Sequence, residues 1–437
     1  MILGAVMVPH PPIIIPDVGK GEEKAVQETI DCYHIAARQV AAWNPDVLVI
    51  LSPHAEFYRD WFQVTPAGKM EGDFGRFRAP NVSFHETIDG RLVDEIDHLC
   101  KKMKFPAGSD YPDQMELDHG TMVPLYFIEQ YMEPVPIVRI GLSYNGLTLQ
   151  KHVEFGEILE KAIANAGRKA VIVASGDLAH YSKATGPYGY RPESEEYNQR
   201  IMDVMGSGKF EQLTEFSNRL CNQAGECGHR SFTVLSGILK KYSFVPKRLS
   251  FEDTFGVAYG ICTYACHDPY VQLAKDTIER YVKKERIPEY NGPEDLKLYQ
   301  AGAFVSIHKH HALRGCIGTF LPTKSSVAAE VISNAIAASS RDPRFYPVTE
   351  RELPDLEISV DVLSEPEPIQ DKSELDIKKY GIIVSDSYGR RGLLLPDLEG
   401  VESVDHQISI AMSKAGIMDE DDIEIERFTV IRHEDTM

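Results

Sequence analysis

The chain has 437 residues, 43% of them hydrophobic and 26% charged, with 66 acidic against 46 basic side chains for a formal charge of -20. That length exceeds one ordinary core and implies two domains, while the acidic excess repels phosphate backbones and anionic bilayers and so argues against nucleic-acid and membrane partners. No apolar run approaches the roughly 20 residues of a membrane span, residues 1–15 read as no targeting segment, and seven scattered cysteines fit reduced thiols, so a cytoplasmic protein is expected.

The first apolar run, GAVMV, ends at Pro9 and His10. A helical pattern, EEKAVQETIDCYHIAARQVAAW, leads to a second run, VLVILS, which ends at Pro53 and His54. Unbroken apolar runs bounded by proline are buried strands, since covered faces leave no alternation to see. Residues 56–88 predict strands and loops forming a lid or wall, and GRLVDEIDHLCKKM a further amphipathic helix. VPIVRIGLS and AVIVAS are two more strands, separated by a helix over LQKHVEFGEILEKAIANAG. Helices are expected at 193–205, 208–220 and 228–242, and a closing strand at GVAYGICTYAC. This alternation predicts an α/β domain over 1–267, with a central mixed sheet flanked by helices. Beyond it a charged helix and a loop lead to a smaller α+β domain over 275–437. Its expected elements are the strand pair AGAFVSIHK and ALRGCIGTF, a helix at SSVAAEVISNAIAASS, strands at LEISVDVL, YGIIVSD, RRGLLLP and IEIERFTVI, and a late helix.

Histidines at the exits of two strands face one crevice, because open α/β sheets bind ligands beyond the carboxyl ends of their strands. Three further stretches add to them: LDHG before a helix (Asp118, His119), SGDLAHYS after a strand (Asp177, His180), and QAGECGH before another helix (Glu226, Cys227, His229). Imidazole, carboxylate and thiol from five points suit a divalent transition metal. Two histidines and a carboxylate on one face of the ion leave open positions, the arrangement of Fe(II) sites that bind a substrate and dioxygen side by side. The remaining histidines, His119 and His180, can move protons, each step worth roughly 10² to 10⁴ in rate. Asp177 either orients an imidazole or caps structure.

VPHPP, SPH, LDHG and GDLAHY, in this order, resemble the LigB-type class III extradiol dioxygenases and their relative Memo. The resemblance implies metal ligands at His10 and His54, with His119 and His180 lining the open coordination face and a third ligand in QAGECGH. The dioxygenases carry an acid there and Memo-like proteins a cysteine; this sequence offers both, and Glu226 is taken as the ligand with Cys227 the alternative. A carboxylate suits Fe(II), whereas a thiolate shifts preference towards copper or zinc. Tyr181, Ser182 and His229 are candidates for contacts to a catechol, against their ordinary roles in loops and helix starts.

In ALRGCIGTF, Arg314 and Cys316 share a strand face, where a thiol beside a guanidinium can be a nucleophile or a ligand, though a structural pair is the commoner case. This stretch, with SRDPRFYPVTERELPDLEISVDVLSEPEPI and GIIVSDSYGRRGLLLP, resembles the AMMECR-type domain, which implies a fold and no activity. His308, His310 and His311 in HKHHALRG read as a solvated turn in preference to a second metal site. The order of the two domains resembles the AmmeMemoRadiSam type and implies a pathway shared with a Memo-like protein and a radical SAM enzyme. The expectation is a non-haem metal enzyme, with Fe(II) foremost and Cu or Zn as alternatives. It would act with dioxygen on a small aromatic or peptide-borne phenolic substrate; the alternative is a metal-binding interaction protein without turnover.

Overall fold

The computed structural model describes residues 1–143, 146–398, 400–418 and 423–434. The chain divides into two compact units, Met1–His267 with Pro293–Asp295 and Asp268–Gly292 with Leu296–Met437.

The first unit's strands are β1 (Ile2–Val8), β2 (Val47–Ser52), β3 (Phe62–Val64), β4 (Lys69–Phe74), β5 (Ala79–Thr87), β6 (Ala107–Gly108), β7 (Ile137–Gly141), β8 (Ala170–Ser175), β9 (Phe244–Glu252) and β10 (Tyr259–Cys266). Eight form one mixed sheet in the order β6-β3-β7-β2-β8-β1-β10-β9, and β4 and β5 pair separately as a hairpin. Every residue of β2 and β8 is buried, as their unbroken apolar runs require. The helices are α1 (Pro16–Gly19), α2 (Gln27–Trp43), α3 (Gly90–Met103), α4 (His119–Ile128), α5 (Leu149–Asn165), α6 (Glu193–Ser207), α7 (Asn218–Ala224) and α8 (His229–Leu239).

In this unit one expected helix is broken and one strand goes unseen in the sequence. The single helix at 208–220 is a 3-10 turn over Phe210–Glu215 followed by α7, which starts afresh with Ser217 as its N-cap. The edge strand β9 escapes sequence reading because VPKRLS mixes charges into a strand that is buried at Ser250 alone.

The second unit holds α9 (Pro269–Val282), α10 (Val327–Ser340) and α11 (Val404–Ala415) with strands β11 (Ala303–Lys309), β12 (Ala312–Gly318), β13 (Leu356–Leu363), β14 (Glu367–Pro368), β15 (Gly381–Asp386), β16 (Arg391–Leu394), β17 (Ile423–Phe428) and β18 (Val430–Glu434). They form two four-stranded sheets, β12-β11-β13-β18 and β14-β17-β15-β16. The expected strand IEIERFTVI is therefore two strands, which pass from one sheet to the other at Thr429.

Candidate metal centre

Three neighbouring strands run out at one level, with Val8 opposite Ser175 and Leu51 opposite Ala174. Two residues beyond each strand stands a polar side chain: His10 after β1, Asp177 after β8 and His54 after β2. Because β8 lies between the other two, the exits of β1 and β2 are about 10 Å apart at the usual spacing of strands. Their imidazoles close that gap, with ring centroids 4.8 Å apart at 80°.

Helix α4 brings a third imidazole. Asp118 caps it, accepting hydrogen bonds from the Thr121 N–H at 3.1 Å, the Thr121 hydroxyl at 2.9 Å and the Ser52 hydroxyl at 2.6 Å. The Arg139 guanidinium, 1% exposed, donates to Asp118 at 3.3 Å and to Asp113 at 2.7 Å. Asp118 is thus an anchor, and it places His119 on the first turn. The His119 ring stacks on His54 at 4.2 Å and meets His10 edge-on at 5.3 Å.

A thiol arrives from the segment before α8. A Cβ built on Gly176 would lie 2.1 Å from the Cα of Gly228, so only two glycines allow these backbones to touch. The contact holds Cys227 over the end of β8. Its Sγ lies 3.5 Å from Nε2 of His10 and 3.2 Å from the Asp177 N–H, which donates to it. Among the described residues, two groups have donor atoms within 4.8 Å of one another: His10, His54 and His119, and His10, Asp177 and Cys227.

Burial and the crowding of imidazoles decide the charge states. Burial, then His54, His119 and His180, hold His10 well below its usual pKa. Burial and His54 bring both His119 and His180 down to about 4, so at neutral pH each offers a lone pair in place of a charge. Burial raises Asp177 to about 7 and pushes the Cys227 thiol far up. His180 Nε2 is buried without a hydrogen-bond partner among the described residues. Crowded neutral imidazoles, an orphaned ring nitrogen, and a carboxyl and a thiol whose charged forms burial disfavours together form a donor set that a divalent cation fits. Such an ion would supply the positive charge this pocket lacks.

Two openings flank His54. A cleft of about 430 Å³ is bounded by His54, His119, Phe77, Arg76, Asp73 and Glu116, and a smaller cavity of about 240 Å³ by His54, Phe57, Leu142, Glu226, Cys227 and Arg230. Gly75–Phe77, the turn between β4 and β5, forms part of the wall, with Phe77 edge-on to His119 at 5.7 Å.

Residues 4–262 match the catalytic LigB subunit of aromatic ring-opening dioxygenases. The chain belongs to the LigB family. Residues 271–433 match the AMMECR1 family, so a LigB unit is followed by an AMMECR1 unit. A Clostridium acetobutylicum protein is 38% identical over 99% of this chain and 99% of its own length. A Thermotoga maritima protein is 54% identical over 38% of this chain and 97% of its own. Among solved structures, an uncharacterized Escherichia coli K12 protein is similar at 14% identity and TM-score 0.41, over 60% of this chain and 99% of that one. An uncharacterized Pyrococcus horikoshii protein is similar at 31% identity and TM-score 0.34, over 37% of this chain and 88% of that one. No helix among the described residues is long and apolar enough to cross a membrane.

Within the LigB unit, His10, His54 and His119 come together, and His180 stands close enough to depress the pKa of His10. Glu226 does not join them. Its Oε2 accepts the His229 N–H at 2.6 Å at the start of α8, and its Oε1 lies 3.8 Å from Arg230. The start of α8 thus engages this carboxylate, and of the two neighbours it is Cys227 whose donor atom lies within 4.8 Å of the cluster around His10. The suggested catechol contacts are engaged elsewhere. Tyr181 lies under the Arg191 guanidinium at 3.8 Å, the Ser182 hydroxyl donates to the Ala179 carbonyl, and buried His229 has its Nε2 2.9 Å from the Leu213 carbonyl.

In the AMMECR1 unit, Arg314 grips Glu352 through two nitrogens at 2.9 and 3.2 Å, and the Cys316 N–H donates to Asp342, itself held by Arg344. Each of the two residues is thus bonded within the unit. His310 and His311 adopt φ of +50° and +64° as the two-residue turn between β11 and β12, so His310 does not continue the strand face of His308.

Sequence reasoning missed Ser175, whose hydroxyl sits beneath His10. A serine closing an apolar strand at the level of two histidine-bearing exits was the available signal.

Proposed function

We propose that the LigB unit is a metal-dependent oxidoreductase of the ring-opening dioxygenase type, which binds a phenolic or catechol-like substrate in the cleft beside His54 and His119 and uses dioxygen. The observation that carries this reading is the convergence of His10, His54 and His119 within 4.8 Å at the strand exits. His10 and His54 would hold the ion, with Cys227 as third donor in place of the expected Glu226. The ion would supply charge stabilisation and a template for the two reactants. Fe(II) is the ion implied by the family, while the thiol favours copper or zinc.

The chain's own groups do the rest. His119 and His180, neutral at pH 7, accept a proton from a substrate hydroxyl, His119 from the cleft and His180 through its unengaged Nε2. Phe77, edge-on to His119, offers an aromatic wall to a flat ring and displaces water from one side of the cleft. A cleft of about 430 Å³ has room for more than a single catechol ring, which favours a phenol borne on a larger molecule or peptide. The AMMECR1 unit would recognise that carrier or a partner protein, in a pathway shared with Memo-like and radical SAM proteins.

The test is metal analysis of freshly purified protein, followed by oxygen uptake with catechols and aminophenols after Fe(II) loading. Turnover of at least one phenol supports the reading, and metal-loaded protein inert across the panel rejects it. Cys227 also favours a second reading, a metal-binding interaction protein without turnover. That reading expects stoichiometric copper or zinc and no oxygen uptake.

A further inference from the structure

We propose that Ser175 is a positioning residue that fixes which nitrogen of His10 carries its proton, and thereby aims the Nε2 lone pair at the cation position. The consequence for metal binding rests on the function proposed above; the tautomer does not.

The cause begins in α4, which contains Pro124. Proline has no N–H, so the carbonyl four residues earlier, that of Gly120, receives no hydrogen bond from that position of the helix. The Ser175 hydroxyl meets this carbonyl at 2.6 Å. A carbonyl only accepts, so the hydroxyl hydrogen is committed there. The same Oγ lies 2.8 Å from Nδ1 of His10. With its hydrogen already engaged, Oγ can only accept, and Nδ1 must donate.

A neutral imidazole has one N–H. His10 therefore carries it on Nδ1, and Nε2 presents a lone pair on the side of Cys227 Sγ, 3.5 Å away. The opposite tautomer would set two lone pairs against each other at 2.8 Å and aim an N–H where a cation must sit. Burial prevents escape: His10 is 1% exposed and Ser175 0%. Gly120 permits the approach, since a Cβ there would lie 2.5 Å from the Ser52 hydroxyl and 3.5 Å from Nδ1 of His10. One proline on α4 thus orients a ring on the exit of β1 through a hydroxyl on β8. An outer partner that fixes the tautomer of a ligating histidine typically governs metal affinity by roughly 10 to 100-fold.

The test uses the metal-free full-length chain labelled with ¹⁵N-histidine, near pH 7.5, in a two-bond ¹H–¹⁵N correlation that separates the tautomers. His10 is assigned by its loss in His10→Gln. The wild-type chain should show His10 protonated on Nδ1, Ser175→Ala should show the Nε2–H form or an average, and Ser175→Thr should restore the wild-type pattern. Unchanged signals of buried His152 and His229 report an intact fold. Titration with Co(II) should then show affinity weakened about 10 to 100-fold in Ser175→Ala and restored in Ser175→Thr.

A wild-type His10 protonated on Nε2 overturns the proposal even if Ser175→Ala fails to fold, and so does a folded Ser175→Ala that keeps the Nδ1–H form. The expected tautomers without Co(II) binding in the wild-type chain would support the proposal and reject the metal centre.

Discussion

Cys227 Sγ lies 3.5 Å from His10 Nε2, while the carboxylate next to it in sequence, Glu226, turns to the start of α8. The two neighbours are therefore separable by substitution. Cys227→Ala should weaken Co(II) binding at least about tenfold and abolish the sulfur-to-cobalt absorption band. Glu226→Gln should keep both, because its amide oxygen can still accept the His229 N–H at the start of α8. Retention of the band in Cys227→Ala would return the third ligand to the carboxylate.

His119 and His180 should separate from the ligands by losing turnover while keeping metal. Each alanine variant is expected to fall roughly 10² to 10⁴-fold in kcat with metal content near the wild-type value. Loss of metal from His119→Ala would make it a ligand, a role its position within 4.8 Å of His10 and His54 allows.

Asp118 should matter for folding. Its removal takes away the cap of α4 and a partner of buried Arg139, so Asp118→Ala should cost about 3 to 5 kcal/mol. Both tryptophans, Trp43 and Trp61, lie in the first unit, so their fluorescence in urea follows its unfolding. A loss below about 1 kcal/mol would show that Asp113 suffices to hold Arg139.

Glu129, at the end of α4, should make the first unit less stable as pH rises. Burial and the nearby Glu86 raise it from 4.5 to about 8, so between these values the folded chain holds a proton that the unfolded chain has released. Stability from this group is complete below about 4.5 and falls as pH climbs towards 8. Glu129→Gln, neutral throughout, should exceed the wild-type chain by on the order of 1 to 2 kcal/mol at pH 8, with the gap closing near pH 5. Melting curves across that range provide the check, and a constant gap would refute the assignment.

The strand exits were legible because a wholly buried strand shows itself as an unbroken apolar run, and a proline marks where it stops. His10 and His54 could be placed for that reason. The sequence puts Glu226 ahead of Cys227, but which of two adjacent residues faces the cluster depends on the need of α8 for an acceptor, a property of the fold. Ser175 was hidden as an ordinary strand residue, and its role depends on Pro124, distant in sequence. β9 was lost because an edge strand is free to carry charges, which erases the pattern that betrays its neighbours.

His10, Asp177 and His54 hang from three adjacent strands at a common offset, so their spacing is inherited from the ladder of the sheet. The hairpin of β4 and β5 contributes wall and no donor. Exchange of that hairpin could therefore change what the cleft admits while leaving the imidazole cluster intact, so the architecture separates evolvable selectivity from a fixed set of candidate donors.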